Sequence, residues 1–252
     1  MLGGCSNEVP FDQLVERGGL KYEVNSQTPF SGSSVEYYES GQLEYKAHWK
    51  DGDNDGRSER YYQNGQTKHR SNWKDGKRHG LMEFYYENGQ LSLKRNHIDG
   101  RRHGLFEEYY ENGQLRSKEI YKDGKHEELH KGYHENGQLR SKQNYKDGKE
   151  VGPEERYYEE GQLRSKKNYK DGKEEGLHEG FHENGQLRSK EIYKDGKRHG
   201  LMEFYHENGQ LEYKANWIDG ELDGLIEEYN KNGQLLSKET TKTELTNGLL
   251  VD

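Results

Sequence analysis

Apolar and polar residues alternate along this chain in short runs, and the runs return every 24 residues. In the run 114–122, Leu115, Ser117, Glu119 and Tyr121 fall on one face of an extended strand, and Arg116, Lys118, Ile120 and Lys122 on the other. In the run before it, Leu105, Glu107 and Tyr109 share a face. A period of two predicts strands rather than helices. Asp123-Gly124 and Asn136-Gly137 separate the runs. Both dipeptides favour two-residue type I′ turns, whose central residues need φ > 0. Each unit therefore predicts a β-hairpin with one strand of nine residues and one of eleven.

Nine Gly-Gln pairs, at Gly41, Gly65, Gly89, Gly113, Gly137, Gly161, Gly185, Gly209 and Gly233, keep this spacing without an insertion. A fixed period in this range marks a repeat architecture. Stacked copies give columns across the sheet. One is aromatic throughout, from Tyr37 through Tyr109 and Phe181 to Tyr229; one is Leu from Leu43 to Leu235, broken by Thr67; one runs Trp49, Trp73, His97, Tyr121, Tyr145, Tyr169, Tyr193, Trp217. Such cross-strand neighbours contribute roughly 0.2–1 kcal/mol per pair. A third glycine column (Gly56, Gly80, Gly104, Gly152, Gly176, Gly200, Gly224) lies near the start of each longer strand and predicts a bulge there. Glu128 replaces that glycine in one copy, so an irregularity is expected at this point. The predicted fold is all-β, an elongated single-layer antiparallel β-meander of 24-residue β-hairpin repeats, bent by its bulges.

The division follows the pattern. Residues 1–19 form an N-terminal tether, 20–40 a degenerate capping repeat, 41–240 the array, and 241–252 a C-terminal cap or tail. Atypical terminal units are what a stacked array needs to end in water.

Composition narrows the function. Leu, Ile, Val and Phe together fall below the roughly one-fifth typical of a packed domain, while 34 % of residues are charged and 20 are Tyr. The core is thin and aromatic. A net charge of −8 argues against a nucleic-acid partner, which needs a basic face. Cys5 is the one cysteine, so no internal disulfide forms. Leu2-Gly3-Gly4-Cys5 resembles a bacterial lipobox, which implies acylation at Cys5 where the chain is cut from a longer precursor.

The unit Gly-Gln-Leu-x-x-Lys-x-x-Tyr-Lys-Asp-Gly-Lys-x-x-Gly-Leu-x-Glu-x-Tyr, over about residues 33–240, resembles the MORN repeat. It is most similar to the bacterial variant in proteins often labelled antitoxin components. The resemblance implies a hairpin repeat and a role in protein or membrane contact, and does not imply an enzyme.

Signals of chemistry yield to the repeat. His126-Glu127-Glu128-Leu129-His130 and His178-Glu179-Gly180-Phe181-His182 match the zinc-peptidase motif, which works on a helix. On a strand, positions i and i+4 lie about 13 Å apart, too far to share one zinc. His79, His103 and His199 read as solvated loop histidines. The row Lys46, Arg70, Lys94, Lys118, Lys142, Lys166, Lys190, Lys214, Lys238 and the row Glu59, Glu83, Glu107, Glu155, Glu179, Glu203, Glu227, with Lys131 as the exception, read as solvated cross-strand pairs that keep a thin sheet soluble.

No catalytic, cofactor-binding or metal-ligating residue is assigned, and no cofactor is expected. The sequence predicts a non-catalytic scaffold for a protein partner, with the membrane reached only through a lipid on Cys5. Such a lipid would place it in the bacterial envelope; otherwise it is cytoplasmic. The alternative is a cytoplasmic antitoxin or immunity protein that sequesters a toxin by contact.

Overall fold

A computed structural model describes residues 8–241. Cys5 and its neighbours, and the tail from residue 242, lie outside the described residues. The fold is all-β: a mostly antiparallel sheet of successive hairpins, with one short 3-10 turn at Phe11–Gln13. It divides into two compact units, residues 1–128 with 135–137, and residues 129–134 with 138–252.

Each hairpin follows from its turn chemistry. The short strands, such as Leu91–Ile98, are followed by Asp-Gly and then by long strands such as Arg101–Tyr109. Asp99 has φ +48° and Gly100 φ +83°, and Asp51, Asp75, Asp123, Asp147, Asp171, Asp195 and Asp219 repeat the positive φ. These are the expected type I′ turns. Their stacking is also backbone-driven: Gly100 N–H donates to the Arg78 carbonyl at 2.8 Å, and Gly124 N–H to that of Arg102 at 2.8 Å.

The Asn-Gly turns are of another kind, and here the type I′ expectation is corrected. Only the glycine has positive φ. Tyr110 N–H donates to the Gln114 carbonyl, and Gly113 N–H to the Tyr110 carbonyl. Glu111-Asn112-Gly113 is therefore a three-residue loop, a type I turn closed by a left-handed glycine. Asn112 selects it, because its Oδ1 accepts the Gln114 N–H at 2.9 Å while its Nδ2 donates to the Glu135 carbonyl at 3.2 Å. Past this loop Tyr109 pairs with Leu115 and Glu108 with Ser117. Arg116 is the extra residue, so Leu115 faces with Tyr109 and not with Ser117 as strict alternation predicts.

The third glycine column marks a bulge, as expected. Arg102 pairs with His97 and Phe106 with Arg95, so residues 103–105 stand opposite Asn96 alone. The same jump separates Ser71 from Trp73 and Ala215 from Trp217. The lone opposing side chain fills the gap: Asn72 Nδ2 donates to the Leu81 carbonyl at 2.8 Å and Asn168 Nδ2 to that of Leu177 at 3.1 Å. Glycine φ there is +86° at Gly80 and +83° at Gly104, and Glu128 takes the same left-handed conformation at +60°.

In the first unit the chain start builds a small core. Glu8–Pro10 pairs in parallel with Ser33, Ser34 and Val35, and Leu14–Arg17 forms a hairpin with Leu20–Glu23. Leu14, Phe30, Ala47 and Trp49 bury together, with Val9, Phe11 and Tyr45 packed on them. This closes one edge of that unit's sheet with apolar contact. Further along, cohesion passes to Trp–Ser bonds. Trp49 Nε1 donates to Ser34 Oγ at 2.8 Å and Trp73 Nε1 to Ser58 Oγ at 2.9 Å.

Candidate interaction surface

Pairing register sorts the side chains into two faces. One carries the Trp/Tyr column with its serines, together with Met82, Phe106 and Met202, and most of the buried residues belong to it. The other carries the leucines after each bulge, the charge rows and the first tyrosine of each Tyr pair. Leu177 pairs with Ile192 on this second face, and Glu179 with Lys190.

Within each unit the charge rows interleave into an alternating line, which Lys131 interrupts. Glu107 faces Lys94 on one side and Lys118 on the other, and Glu227 faces Lys214 and Lys238. Lys142 Nζ stands 2.8 Å from Glu155, and Lys238 Nζ 3.2 Å from Glu227. The solvated reading is corrected for the carboxylates. Their side chains keep only 9–19 % exposure at Glu227, Glu107, Glu59 and Glu155, because the aromatic column covers them. Tyr85 Oη donates to Glu83 and Tyr109 Oη to Glu107, both at 3.1 Å, and Tyr157 Oη donates to Glu155. Bonds from Lys214, Tyr229 and Lys238 hold the Glu227 carboxyl down at about 2. The partners answer: burial, followed by Glu107, raises the Tyr109 phenol, and the bond to Glu155 raises the Lys142 ammonium. The carboxylates of Glu59, Glu107, Glu155 and Glu227 are thus compensated by neighbouring cations and held in place.

Beside it, in the second unit, runs an uncovered aliphatic strip. Leu177, Ile192, Leu201 and Leu225 are 37–46 % exposed, and all lie on the compensated-charge face. Near the end of the described chain, a cleft of about 610 Å³ is lined by Phe204, His206, Tyr213, Tyr229 and Leu236.

His79, His103 and His199 are half-buried, and their Nδ1 atoms lie 3.4, 3.5 and 3.8 Å from the turn carboxylates of Asp99, Asp123 and Asp219. His79 and His103 stand on the long strands beside the bulge rather than in a loop, while about two-fifths of each side chain stays open to solvent, as expected. The first zinc-motif match falls on the strand Lys125–Tyr133, and the second starts on Gly176–Phe181 and ends one residue past it, at His182. His178 is buried and stacks on Tyr193 with ring centroids 4.3 Å apart, while His182 donates to the Tyr205 carbonyl at 2.8 Å. Each imidazole already has its own task. Among the described residues, no group of three or more His, Cys, Asp or Glu side chains is placed to hold a metal ion.

Two columns carry weight that the sequence reading passed over. The second residue of the Tyr pair reaches the following repeat, and Asn72 and Asn168, each one before the Trp or Tyr of its column, fill the bulge. Their 24-residue recurrence was the available signal.

Among known proteins, a family described as MORN repeat variant matches residues 31–51, 54–75, 78–99, 102–123, 129–147, 150–171, 174–195, 198–219 and 222–243. The fifth match begins three residues late, just past Glu128. No curated protein matches the chain. Among solved structures, a chain of the TcdB2-TccC3 crystal structure is similar at 14 % identity and a TM-score of 0.21, over 86 % of this chain and 14 % of that one. The TcdB2-TccC3-Cdc42 structure matches at 14 % identity and a TM-score of 0.21, over 84 % and 14 %. This chain thus spans about one-seventh of the solved chains it matches.

Proposed function

The chain belongs to the MORN repeat variant family, and from that premise we propose that it is a non-catalytic scaffold whose compensated-charge face binds a protein partner. The observation that carries this reading is the strip Leu177, Ile192, Leu201 and Leu225 beside the Lys–Glu line. Exposed aliphatic groups gain by losing water, about 25 cal/mol per Å². Locked ion pairs beside them add specificity without a new charge to desolvate. Because the units repeat, a partner that spans several makes many similar contacts whose affinities compound. The lipobox-like Leu2-Gly3-Gly4-Cys5 supports an envelope lipoprotein tethered through Cys5.

Photo-crosslinking in the native host tests this. A crosslinkable residue replaces Leu201 in one variant and, on the packed face, Ser189 in another. The reading expects a discrete protein adduct from position 201, absent from position 189. Equal adducts from both, or none from either, would overturn it. Fatty-acid labelling of wild type and Cys5→Ser in the same host checks the tether. Unlabelled, soluble wild-type protein would remove the anchor and favour toxin sequestration in the cytoplasm.

A further inference from the structure

In each hairpin, one residue of the short strand meets the residue seven positions later, across the Asp-Gly turn. Two hairpins place opposite charges there, Lys167 with Glu174 at 2.9 Å and Glu191 with Arg198 at 3.2 Å, and a third sets the His126 imidazole 3.7 Å from Glu119. At the same two positions the hairpin 91–109 carries Arg95 and Arg102. Both are cations. Arg78, the corresponding residue one repeat earlier, adds a third. Like charges on neighbouring strands are destabilising, and the fold itself shows the charge-compensated version of this site twice.

The surroundings are shaped for an anion. The Arg95 guanidinium lies 5.3 Å from the Phe84 ring centre and 6.0 Å from that of Phe106. Arg102 sits 5.2 Å from both Phe106 and Tyr121, and donates to Tyr121 Oη at 3.1 Å. Arg78 lies 5.5 Å from Trp73. Rings take up guanidinium faces and leave the in-plane N–H edges, which suit a carboxylate's two oxygens. Arg95 Nε and His97 Nδ1 are buried without a hydrogen-bond partner. The arginines feel one another: burial, then Arg102 and Arg78, lowers Arg95, while Glu108 acts weakly the other way. Among the described residues, none of the three arginines makes an ion pair.

We propose that Arg78, Arg95 and Arg102 form an oxyanion site that takes carboxylate side chains from an acidic segment of a protein partner. It rests on the protein-binding reading above and adds to it a second contact, on the Trp/Tyr face of the first unit that carries Met82 and Phe106. The half-buried Phe84 ring gives apolar contact to the methylenes of a glutamate. The ligand carboxylate then gives the two guanidinium forks the negative charge that Glu174 or Glu191 supplies elsewhere in the fold.

The test titrates the intact protein with hexaglutamate at low salt and follows the His97 imidazole by NMR. Saturable movement of His97 is expected, with affinity about tenfold weaker in Arg95→Met, the loss of one charge-assisted hydrogen bond. Arg198→Met, in a compensated pair, should bind as wild type does. Arg95→Met should melt no lower than wild type, which separates lost binding from lost folding. Sodium chloride at matched ionic strength should leave His97 unmoved. No saturable movement, the same movement in Arg95→Met, or chloride acting equally would overturn the site. Inorganic phosphate binding while hexaglutamate does not would overturn the acidic segment as occupant. A partner crosslinked at position 201 alongside a failed titration would remove this site and leave the scaffold reading standing.

Discussion

The Tyr86 hydroxyl donates to the carbonyl oxygen of Tyr109, 23 residues later, at 2.7 Å. The same bond joins Tyr38 to Tyr61 and Tyr62 to Tyr85 at 2.7 Å, and Tyr158 to Phe181 at 2.8 Å. In other copies His134, His182 and His206 replace tyrosine and reach the same carbonyl with Nε2. The carbonyl is that of the strand's last residue, where the three-residue loop has ended the ladder. The bond therefore satisfies an acceptor and couples neighbouring repeats at once. Tyr86→Phe should lower stability by about 0.5–1.5 kcal/mol, read as a lower denaturant midpoint at unchanged slope. Tyr86→His should recover most of it, since the fold already uses histidine there.

Glu128 holds a left-handed conformation that glycine holds in the other copies. Such a conformation costs a residue with a Cβ roughly 1–2 kcal/mol, partly offset by the greater chain entropy that glycine loses on folding. Glu128→Gly should raise stability by about 0.5–1 kcal/mol in urea unfolding. A lower midpoint would show that the Glu128 side chain makes a contact worth more than the strain.

The loop glycines separate conformation from space. Gly65 and Gly89 have φ of +83° and +86°, so alanine is strained at both. A Cβ on Gly65 meets nothing within 4 Å, whereas one on Gly89 would clash with Gln66 Oε1. Gly89→Ala should therefore lower the melting temperature more than Gly65→Ala, and Gln66→Ala should bring the two together. Equal losses in the two single variants would show that the glutamine moves aside freely.

Burial, with Arg95, Arg78 and Arg102 close by, holds His97 at about 4, against 6.5 for an unperturbed histidine. As pH falls through 6.5 the unfolded chain takes up a proton that the folded chain refuses until about 4. Stability from this group is whole above 6.5, declines between the two values and is level below. His97→Gln should flatten the fall in melting temperature between pH 6.5 and 4. A profile parallel to wild type would place the loss elsewhere, for instance at His69 or His178, both also lowered by burial.

What was legible in the sequence is what local chemistry decides. Asp123-Gly124 could be read as a type I′ turn because two residues set it, and Gly104 as a bulge because a glycine inside a strand has few other uses. Asn112-Gly113 looked identical to the first turn. Its loop type is chosen by Asn112 bonding forward to Gln114 and across to Glu135, the second being a contact of the stacked array. The small core of Leu14, Phe30 and Trp49 depends on a parallel pairing between Glu8–Pro10 and Ser33–Val35, which no repeat announces. The Arg95–Arg102 pair was present in the columns, but its meaning needs the register that shows Lys167–Glu174 and Glu191–Arg198 to be the same place.

The central claim is that each 24-residue unit is one interchangeable hairpin, so that removing a whole unit preserves every pairing type and removing half of one does not. Deleting residues 171–194 joins Lys170 to Asp195 and restores the strand-turn-strand sequence; deleting 171–182 removes a single long strand and reverses all that follow. Thermal melting by circular dichroism at a β-sheet wavelength compares the two. The account predicts a β spectrum with a cooperative transition within a few degrees of wild type for the first, and loss of that transition for the second. A 24-residue deletion that abolishes the transition, or a 12-residue deletion that leaves it intact, would contradict it.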